Sequence, residues 1–438
     1  MRPPHFPLIP LKHLCREPVA YGSNESSDSY VSEGVRFLRT TDITDNGLLI
    51  PSEKGVYLPP ELAASSRLLD GDLLLSRSGT IGRAFLYRRA LHGDCAHAGY
   101  LVRFRPKPTT DPRWLFYFSK STLFRDQIAE DVVQSTIANF NGQKFASLRV
   151  PSPPLSLQRR IADFLDIKTA AIDELIAKKE RLAALLQEKR QAVITQAVTK
   201  GLDPNVKMKE SGVEWIGRVP EHWDVTPLRR VVARFVDYRG RTPTKVDDGI
   251  PLITAGAVRD GRIDHARAPE YMEPSEYDDF MRRGRPELDD VVFTTEAPLG
   301  EVALVEDASV AFAQRIILFK LNARRMLSGF LRLYYLSDVG RSEVASRASG
   351  STAEGIRADR LRASLVLVPP IDEQRRVVHH VERALQNHEP IRAALDQQLA
   401  KLREYRQSLI TAAVTGKLDV TADERAVDDR LTALEASG

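Results

Sequence analysis

Cysteine is scarce in this chain, with 2 among 438 residues. So small a number excludes a disulfide framework and favours a reducing compartment. The sequence also lacks any apolar run that approaches the roughly 20 residues of a membrane-spanning helix. Its first residues, MRPPHFPLIP, lack the apolar segment of a secretory signal. We therefore predict a cytoplasmic protein.

No catalytic signature is recognisable in the sequence. A phosphate-binding loop needs G-x-x-x-x-G-K-[ST], whereas TGKLD at residues 415–419 places leucine after the lysine. The double-proline segments SPPL and VPPI lack the polar first residue and the aromatic residue of an amino-methyltransferase motif. A net charge of +4 is compatible with nucleic-acid binding and does not demand it. We therefore predict a chain that is not an enzyme and binds no cofactor itself.

One short segment, HGDCAH at residues 92–97, offers three potential metal ligands in His92, Cys95 and His97. A structural zinc site needs four ligands. The second half reads DASVAF nearby and has none of the three. We predict no metal site and interpret these residues as members of a loop.

The chain contains an internal duplication. SLQRRIADFLD at residues 156–166 is matched by DEQRRVVHHVE at residues 372–382. Gln158 and Gln374 are 216 positions apart (374 − 158), and the same separation relates VITQAVTKGLD to LITAAVTGKLD further along. A register that is kept over both blocks indicates one unit copied in tandem.

Each copy consists of a mixed segment and a helical segment. The mixed segments alternate short β-branched and aromatic runs with Gly, Pro, Asp and Asn, as strands and turns do. We predict an α+β fold in which two homologous domains are separated by two long antiparallel, coiled-coil-like helices, as a pseudo-twofold internal duplication. The predicted divisions are a first domain (1–153), a first spacer helix (154–203), a second domain (204–369), a second spacer helix (370–418) and a charged tail (419–438).

Apolar residues in the helical segments recur at steps of three and four, which is typical of a narrow coiled-coil seam. In the first helical segment, Lys179 and Lys189 interrupt the series of apolar residues. Pro390 interrupts the second segment, and a proline there removes a backbone hydrogen bond, so we expect a break near Asn387 to Pro390. The predicted seam residues are Ile172, Leu175, Leu182, Leu186, Val193 and Ala197 in the first segment, and Leu395, Leu399, Leu402, Leu409 and Ala413 in the second.

Paired helices of this length could measure a distance on DNA. About 35 paired residues would form a rod roughly 50 Å long, which equals about 15 base pairs of B-DNA. Two domains at that spacing could read two short sequences with unread base pairs between them. Because the copies have diverged, we expect unlike half-sites and a full site that is not a palindrome.

Several segments resemble signatures of the specificity subunits of type I restriction-modification systems. They are SGVEWIGRVPEHWDVTPLRRV, VPSPPLSLQRRIADFLD, LVPPIDEQRRVV and LITAAVTGKLD, while YRGRTPTK and FLRTTDITDNG resemble the openings of target-recognition domains. The likeness covers almost the whole chain. It implies that each mixed domain is a target-recognition domain that reads one half of a split DNA site.

The same resemblance implies partners for the chain. The helices would dock two methyltransferase subunits, which bind S-adenosylmethionine and methylate adenine, and two restriction subunits that use ATP can join them. The chain itself would be the DNA-binding recognition subunit, without a cofactor and without contact to a membrane. Its expected macromolecular ligand is double-stranded DNA.

Loops rich in Arg, Lys, Ser, Thr and Gly are the candidate DNA contacts, because these residues suit phosphates and base edges. A Ser-Thr pair recurs in both copies at the duplication's separation, so we expect it to bind phosphate. Arg77 of the first copy corresponds roughly to Thr295 of the second. Differences of this kind between the copies could select bases. For a single arginine, a solvated surface charge remains the more frequent role. The candidates are Arg77, Ser78, Thr80, Arg83, Ser135, Thr136, Lys144, Arg239, Arg241, Thr295, Arg315, Ser351, Thr352 and Arg357.

The Gln-Arg-Arg triplets at the two helix starts are candidate docking residues. Positive charge at a helix start opposes the helix dipole, so something acidic should compensate it. The acidic group could belong to a partner subunit or to the end of the other helix, and salt bridges to Asp163 or Glu382 across neighbouring turns are equally compatible with the sequence. The residues concerned are Gln158, Arg159, Arg160, Gln374, Arg375 and Arg376.

Two other functions are open at this point. One is a scaffold whose helices assemble protein partners and whose contact with DNA is incidental. The other is a self-sufficient enzyme, against which the missing methyltransferase and nucleotide motifs argue.

Overall fold

The structure, a computed structural model, describes residues 6–133, 140–240, 242–350 and 354–420. The chain divides into two compact units, Met1–Arg181 with Ala394–Gly438, and Leu182–Ala393. Each unit contains one mixed domain and a part of each long helical segment. Residues 421–438 of the predicted tail lie outside the described residues, and the predicted domain limits stay predictions.

The first domain is built on two main sheets and on a two-stranded sheet that its first and last strands form. Its strands are β1 (Leu8–Pro10), β2 (Ala20–Tyr21), β3 (Val35–Leu38), β4 (Val56–Leu58), β5 (Leu73–Ser76), β6 (Ala84–Leu86), β7 (Cys95–His97), β8 (Leu101–Phe104) and β9 (Arg149–Pro151). Its helices are α1 (Pro60–Ala63), α2 (Arg89–His92), α3 (Pro112–Lys120), α4 (Thr122–Val133) and α5 (Gly142–Ser147). Strands β2, β8, β5 and β6 form one antiparallel sheet in that order, and β4, β3 and β7 form the other.

The second domain repeats this plan after the long helix α6 (Leu155–Lys200). Its strands are β10 (Met208–Glu210), β11 (Arg218–Pro220), β12 (Asp224–Pro227), β13 (Val232–Asp237), β14 (Lys245–Val246), β15 (Ile250–Ile253), β16 (Val258–Arg259), β17 (Arg262–Ile263), β18 (Tyr271–Met272), β19 (Val291–Thr295), β20 (Leu299–Leu304), β21 (Ala311–Phe312), β22 (Ile316–Leu321) and β23 (Leu365–Val368). Its helices are α7 (Tyr277–Phe280), α8 (Ser328–Leu336), α9 (Asp338–Arg347) and α10 (Ala358–Ala363). Strands β13, β22, β19 and β20 form the sheet that corresponds to the first domain's four-stranded sheet.

The strand register confirms the duplication. In the first domain β3 and β7 run parallel, with Arg36 opposite Cys95. In the second, β15 and β21 run parallel, with Leu252 opposite Ala311. Arg36 and Leu252 are 216 positions apart, and so are Cys95 and Ala311. This is the separation found in the sequence. The predicted α+β fold with two homologous domains is therefore confirmed.

A helix packed on the sheet closes the core of the first domain. Helix α3 begins after Asp111, whose carboxylate accepts a hydrogen bond from the Arg113 backbone N–H at 2.8 Å and caps the helix. Trp114 and Phe118 are buried in the main apolar cluster, and the Trp114 indole donates to the Pro151 carbonyl at 2.9 Å. This packing fixes the ends of the central strands, where the candidate DNA-binding loops begin.

The two long helical segments are antiparallel, as predicted. Arg406 pairs with Asp173 at 2.8 Å, and Arg403 pairs with Glu180 at 2.7 Å, so the numbering falls along one segment as it rises along the other. Helix α6 has 46 residues, which corresponds to about 70 Å. Among the described residues, no helix is apolar enough over a sufficient length to cross a membrane.

The second segment is interrupted at the position predicted from Pro390. It consists of α11 (Ile371–Leu385) and α12 (His388–Val414), so the helix breaks at residues 386 and 387. Pro390 lies in the first turn of α12, where its missing N–H has no intrahelical acceptor to lose. The five predicted seam residues of this segment are all buried.

The seam of the first segment differs from the prediction. Leu182 is 52% exposed, whereas Lys179, predicted as a gap, is buried and donates to the Gln398 side chain at 2.7 Å. Ala183 and Arg190 are also buried. The prediction is therefore wrong at Leu182 and Lys179, whereas Ile172 and Ala197 are buried as predicted.

Candidate nucleic-acid interface

Equivalent positions in the two domains can be matched through their backbone hydrogen bonds. In the first domain the Arg77 N–H donates to the Tyr100 carbonyl at 3.0 Å, and the Arg77 carbonyl accepts from Phe140. In the second, the Thr295 N–H donates to the Arg315 carbonyl at 2.8 Å, and the Thr295 carbonyl accepts from Ile356. Arg77 therefore corresponds to Thr295, and Tyr100 corresponds to Arg315.

Strand register adds a third matched position. Tyr21 on β2 is opposite Val102 on β8, and Asp237 on β13 is opposite Ile317 on β22. Val102 and Ile317 hold the same place in the two sheets, so Tyr21 corresponds to Asp237. The three matched positions lie at the same edge of each domain.

In the first domain these positions form what we call the Arg77 cluster, which consists of Tyr21, Arg77 and Tyr100. The Arg77 guanidinium carbon lies 5.2 Å from the Tyr21 ring centroid and 5.9 Å from that of Tyr100. Both rings are largely solvent-facing, with 44% and 57% exposure. They border an open concavity of about 430 Å³. Exposed aromatic faces beside a guanidinium group offer stacking and hydrogen bonds to a nucleic acid.

The loop that follows Arg77 carries three further candidates with different roles. Ser78 and Thr80 lie at its surface. Arg83 donates to the carbonyls of Thr40 and Ile43 at 3.3 and 3.0 Å, and it pairs with Asp45. These internal bonds connect Arg83 to the loop that contains Thr40, Ile43 and Asp45, and its expected contact with DNA stays a prediction.

Lys144 lies beside the same edge of the first domain. Its ammonium group pairs with Asp131 at 3.0 Å and lies 5.7 Å from the Phe140 ring centroid. About a third of its side chain is exposed. To bind a phosphate, the Lys144 ammonium group would have to leave its ion pair with Asp131.

In the second domain the matched positions carry different chemistry. Thr295 is 2% exposed and its hydroxyl donates to the Arg315 carbonyl at 3.1 Å, and its expected contact with DNA stays a prediction. Arg315 is half exposed, pairs with Glu296 at 3.0 Å and has a positive φ of 79°. Arg357 is exposed and lies 3.4 Å from Asp359.

A basic concavity lies next to Asp237 in the second domain. It encloses about 690 Å³ and is lined by Arg234, Asp237, Arg239 and Arg283. Hydrogen bonding to Asp237 raises the pKa of Arg239, and the charge of Glu296 adds to this effect. Burial favours the neutral form of Asp237, yet the Arg239 hydrogen bonds outweigh it and lower the carboxyl pKa. Three guanidinium groups with one resident carboxylate make this surface attractive to phosphate.

Some sequence candidates cannot be placed. Ser135 and Thr136 in the first domain lie outside the described residues, as do Ser351, Thr352 and Arg241 in the second. Their expected phosphate contacts stay predictions. Phe140 and Ile356 follow the two Ser-Thr segments along the chain. They hold equivalent places, because their backbone N–H groups donate to the carbonyls of Arg77 and Thr295.

The glutamines of the Gln-Arg-Arg triplets have an internal role. Gln158 is 2% exposed, accepts from the Asp111 N–H at 2.9 Å and donates to the Pro153 carbonyl at 2.8 Å. Gln374 is fully buried and makes the equivalent bonds to Leu327 and Pro369 at 2.8 Å each. They attach each helix start to its own domain, and their expected docking role stays a prediction.

The arginines of the triplets are free to meet a partner. Arg159, Arg160, Arg375 and Arg376 are all exposed. Arg375 pairs with Asp372 at 2.7 Å, and within the described ranges the other three form no ion pair. The expected salt bridges to Asp163 and Glu382 are wrong, because these carboxylates lie near Arg113 and Arg332 instead.

Two aromatic members of the Arg77 cluster were missed from the sequence. Tyr21 precedes Gly22 and Tyr100 follows Gly99. A tyrosine beside a glycine at a strand end was an available sign of an exposed ring on a tight turn. Its proximity to Arg77 depends on the sheet register, which the sequence alone did not provide.

The HGDCAH segment is not a loop, and it has internal partners. Cys95 and His97 are buried in β7, and His92 ends α2. His97 Nδ1 donates to the Ser66 carbonyl at 2.8 Å, and Cys95 contacts the His92 carbonyl at 3.4 Å. Burial lowers the pKa of His97 to about 4. In the part of the chain that is described, no group of three or more His, Cys, Asp or Glu could hold a metal ion.

Known proteins are similar to this chain in sequence and in fold. The family model for the type I restriction modification DNA specificity domain matches residues 23–184. The EcoKI specificity subunit of Escherichia coli K12 is 23% identical over 395 residues, which cover 87% of this chain and 82% of the relative. The EcoBI specificity subunit of Escherichia coli is 25% identical over 332 residues, which cover 74% and 69%.

A solved structure extends the comparison to three dimensions. It concerns complex assembly and conformational transition of the type I R-M system, and one of its chains matches with a TM-score of 0.68. The match covers 95% of this chain and 100% of the other at 15% identity, so it concerns the fold.

The two domains share one α+β plan, and the described loops at their edges carry arginine and tyrosine side chains. Residues 23–184 match the type I restriction modification DNA specificity domain, and the chain is similar over most of its length to specificity subunits of type I restriction enzymes. The resemblance found in the sequence is thereby confirmed. These relatives are named as specificity subunits, which agrees with the prediction that the chain is not itself an enzyme.

Proposed function

We propose that the chain acts in the cytoplasm and reads a bipartite, asymmetric DNA site, one half with each domain. The two domains have the same fold, so they can approach duplex DNA with the same edge. Specific reading then depends on the side chains at that edge, because phosphate contacts position a protein whereas base contacts specify sequence.

The observation that carries this proposal is the divergence of the three matched positions. The first domain has Tyr21, Arg77 and Tyr100, and the second has Asp237, Thr295 and Arg315. An arginine can bind guanine through two hydrogen bonds, and a tyrosine face can stack on a base or sugar. Because the cation and the aromatic rings occupy different places, the two domains should select different bases.

We further propose that the exposed arginines at the two helix starts contribute to the docking of two methyltransferase subunits. Arg159 and Arg160 are matched by Arg375 and Arg376, so the duplication offers the same basic surface twice. S-adenosylmethionine would be bound by those subunits, and ATP by restriction subunits that can join them. A scaffold whose DNA contacts are incidental is the competing interpretation.

Selection of binding sites from a pool of random duplexes tests the proposal, with the chain in complex with its methyltransferase subunits. We expect two unlike conserved blocks with an unselected gap. The variant R77Q should relax one block and R315Q the other, each by about 1–3 kcal/mol at the affected base pair. Loss of both blocks in either variant would contradict separate reading, and a pool without any enriched sequence would favour the scaffold.

The exposed variants R159Q and R357Q serve as a matched pair of controls. Both remove one surface charge, the first at a helix start and the second in the second domain. R159Q should weaken assembly and leave the selected bases unchanged. R357Q should act at most on affinity and its salt dependence, since a phosphate contact carries little sequence information.

A further inference from the structure

The basic concavity of the second domain contains one carboxylate, which attraction to DNA phosphates alone does not explain. Its described lining consists of Arg234, Phe235, Asp237, Arg239, Gly240 and Arg283, so three guanidinium groups surround a single acidic side chain. Although burial acts to raise the pKa of Asp237, the Arg239 hydrogen bonds lower it, and the carboxylate is charged near neutral pH. A phosphate repels such a carboxylate. Asp237 therefore reduces the attraction of this surface for the DNA backbone.

Asp237 and Arg239 form a fixed pair at the edge of the sheet. Asp237 is the last residue of β13, which is the edge strand of its four-stranded sheet. Its carboxylate accepts from the Arg239 backbone N–H at 3.0 Å and from Nε at 2.9 Å. Arg283 Nη1 donates to the Asp237 and Arg239 carbonyls at 2.9 and 2.6 Å. These bonds hold the pair in place before a ligand arrives, as selective recognition requires.

The pair keeps an acceptor and a donor for a ligand. Three N–H groups of Arg239, on the backbone, Nε and Nη2, donate to Asp237. A carboxylate offers about four acceptor positions, so one remains. Among the described residues, Nη1 of Arg239 forms no hydrogen bond. The Asp237 side chain is 27% exposed and that of Arg239 is 35% exposed, so both groups can be reached from the solvent.

The duplication shows that the shared fold does not need this pair. The residues 216 positions before Asp237 and Arg239 are Tyr21 and Ser23 (237 − 216 and 239 − 216). Tyr21 ends the corresponding edge strand, and the Ser23 hydroxyl forms a hydrogen bond with that of Ser66 at 3.2 Å. The same strand end therefore forms without an ion pair at this place. The Asp-Arg pair is a property of the second domain's surface.

The hydrogen-bonding pattern of the pair matches one type of base pair. A carboxylate only accepts hydrogen bonds, and the donors in the major groove are the amino groups of cytosine and adenine. Aspartate suits the cytosine N4 amino group, and arginine suits the O6 and N7 atoms of guanine. We propose that Asp237 and Arg239 specify one C·G base pair of the second half-site. Asp237 accepts from the cytosine, and Arg239 donates to the guanine paired with it.

This inference rests on the proposed reading of DNA by the second domain, and it separates two kinds of contact in the concavity. Arg234 is exposed and lies outside the Asp-Arg pair. It would bind a phosphate and contribute affinity, whereas the pair would contribute the choice of base.

Selection from random duplexes tests the assignment, with the chain in complex with its methyltransferase subunits. The wild type should select a second block that contains an invariant C·G pair. The variant D237N presents an amide, which suits adenine. Its preference for cytosine at that pair should fall at least about tenfold, while the first block stays the same. The variant R239Q should relax the same base pair.

Two variants of the same domain provide matched controls. R234Q removes the neighbouring arginine of the concavity, so it should weaken all duplexes alike and reduce the salt dependence of binding. D278N removes an exposed carboxylate that pairs with Arg285 outside the concavity, and it should bind as the wild type does.

A substitution in the DNA tests the wild-type chain if a variant fails to fold. Each selected cytosine of the second block is replaced in turn by 2-pyrimidinone, which lacks the N4 amino group. One of these replacements should weaken wild-type binding about tenfold, because it removes the donor to Asp237. The same replacement should not weaken binding by D237N, and a replacement in the unread gap gives the effect of the analogue on the duplex itself.

The outcomes separate this inference from the proposed function. A second block without a C·G pair, an unchanged cytosine preference in D237N, or equal binding of all pyrimidinone duplexes would overturn the inference and leave bipartite reading intact. A wild-type selection that returns no second block would overturn the proposed function, and the inference with it.

Discussion

At the scale of single residues, the buried glutamines at the helix starts connect the long helices to the domains. Gln158 satisfies the Asp111 N–H and the Pro153 carbonyl, both of which lie away from water. The variant Q158A leaves both groups without a partner, so we expect the first unit to lose about 2 kcal/mol or more of unfolding free energy. Urea denaturation measures this loss.

The neighbouring arginine provides the control for that experiment. Arg159 is exposed, so R159A should change the unfolding free energy by no more than about 0.5 kcal/mol. The variant Q374A should repeat the effect of Q158A in the second unit, because its bonds are equivalent. If Q158A proved as harmless as R159A, the internal role of the glutamine would be refuted.

The buried imidazole of His97 makes the first domain sensitive to acid. Its pKa of about 4 lies below the value near 6.5 expected in the unfolded chain, because burial disfavours the charged form. Between these values the unfolded chain binds a proton that the native state does not, so stability falls as the pH decreases. From pH 7 to pH 5 the loss should be about 2 kcal/mol.

Amide hydrogen exchange of β3 and β7, corrected for intrinsic rates, reports this loss directly. The variant H97Q has no titratable group at this position. Between pH 7 and pH 5, the free energy of exchange of its β3 and β7 amides should therefore fall by about 2 kcal/mol less than in the wild type. Identical pH dependence of the two proteins would show that His97 is not responsible.

At the scale of elements, the helices and their breaks could be predicted, because they depend on the local pattern of residues. The absence of glycine and proline predicted the long helix, and Pro390 predicted the break before α12. The face of α6 was predicted less well, because the Lys179–Gln398 contact depends on the facing helix. The sequence prediction of the Arg77 cluster lacked the two tyrosines for a similar reason. The tyrosines lie beside Arg77 only because β2, β5 and β8 pair in one sheet.

The antiparallel helices are expected to set the gap between the half-sites. Seven residues inserted after Lys179 in α6, with seven more after Gln398 in α12, would lengthen both helices at a point where they contact each other. One heptad keeps the seam in phase and adds about 10 Å, which equals about three base pairs. Site selection should return the same two blocks with a longer gap, and an unchanged gap would mean that the helices do not determine it.

At the scale of the whole molecule, two homologous domains with separate cores imply modular recognition. Each domain has its own apolar clusters, and its candidate DNA-binding loops extend from its own sheets. Replacing residues 1–153 by the corresponding domain of a relative should therefore change one half-site completely. The other half-site should stay the same, and an alteration of both halves on site selection would refute modular reading.

The central claim is that one chain reads two unlike sequences at a fixed distance. The most direct test is to map methylated adenines across the genome of cells that carry the chain with its methyltransferase subunits. We predict a single discontinuous motif, with two different blocks and a constant unread gap. A continuous motif, a palindrome, or methylation that depends on the partner subunits alone would contradict the account.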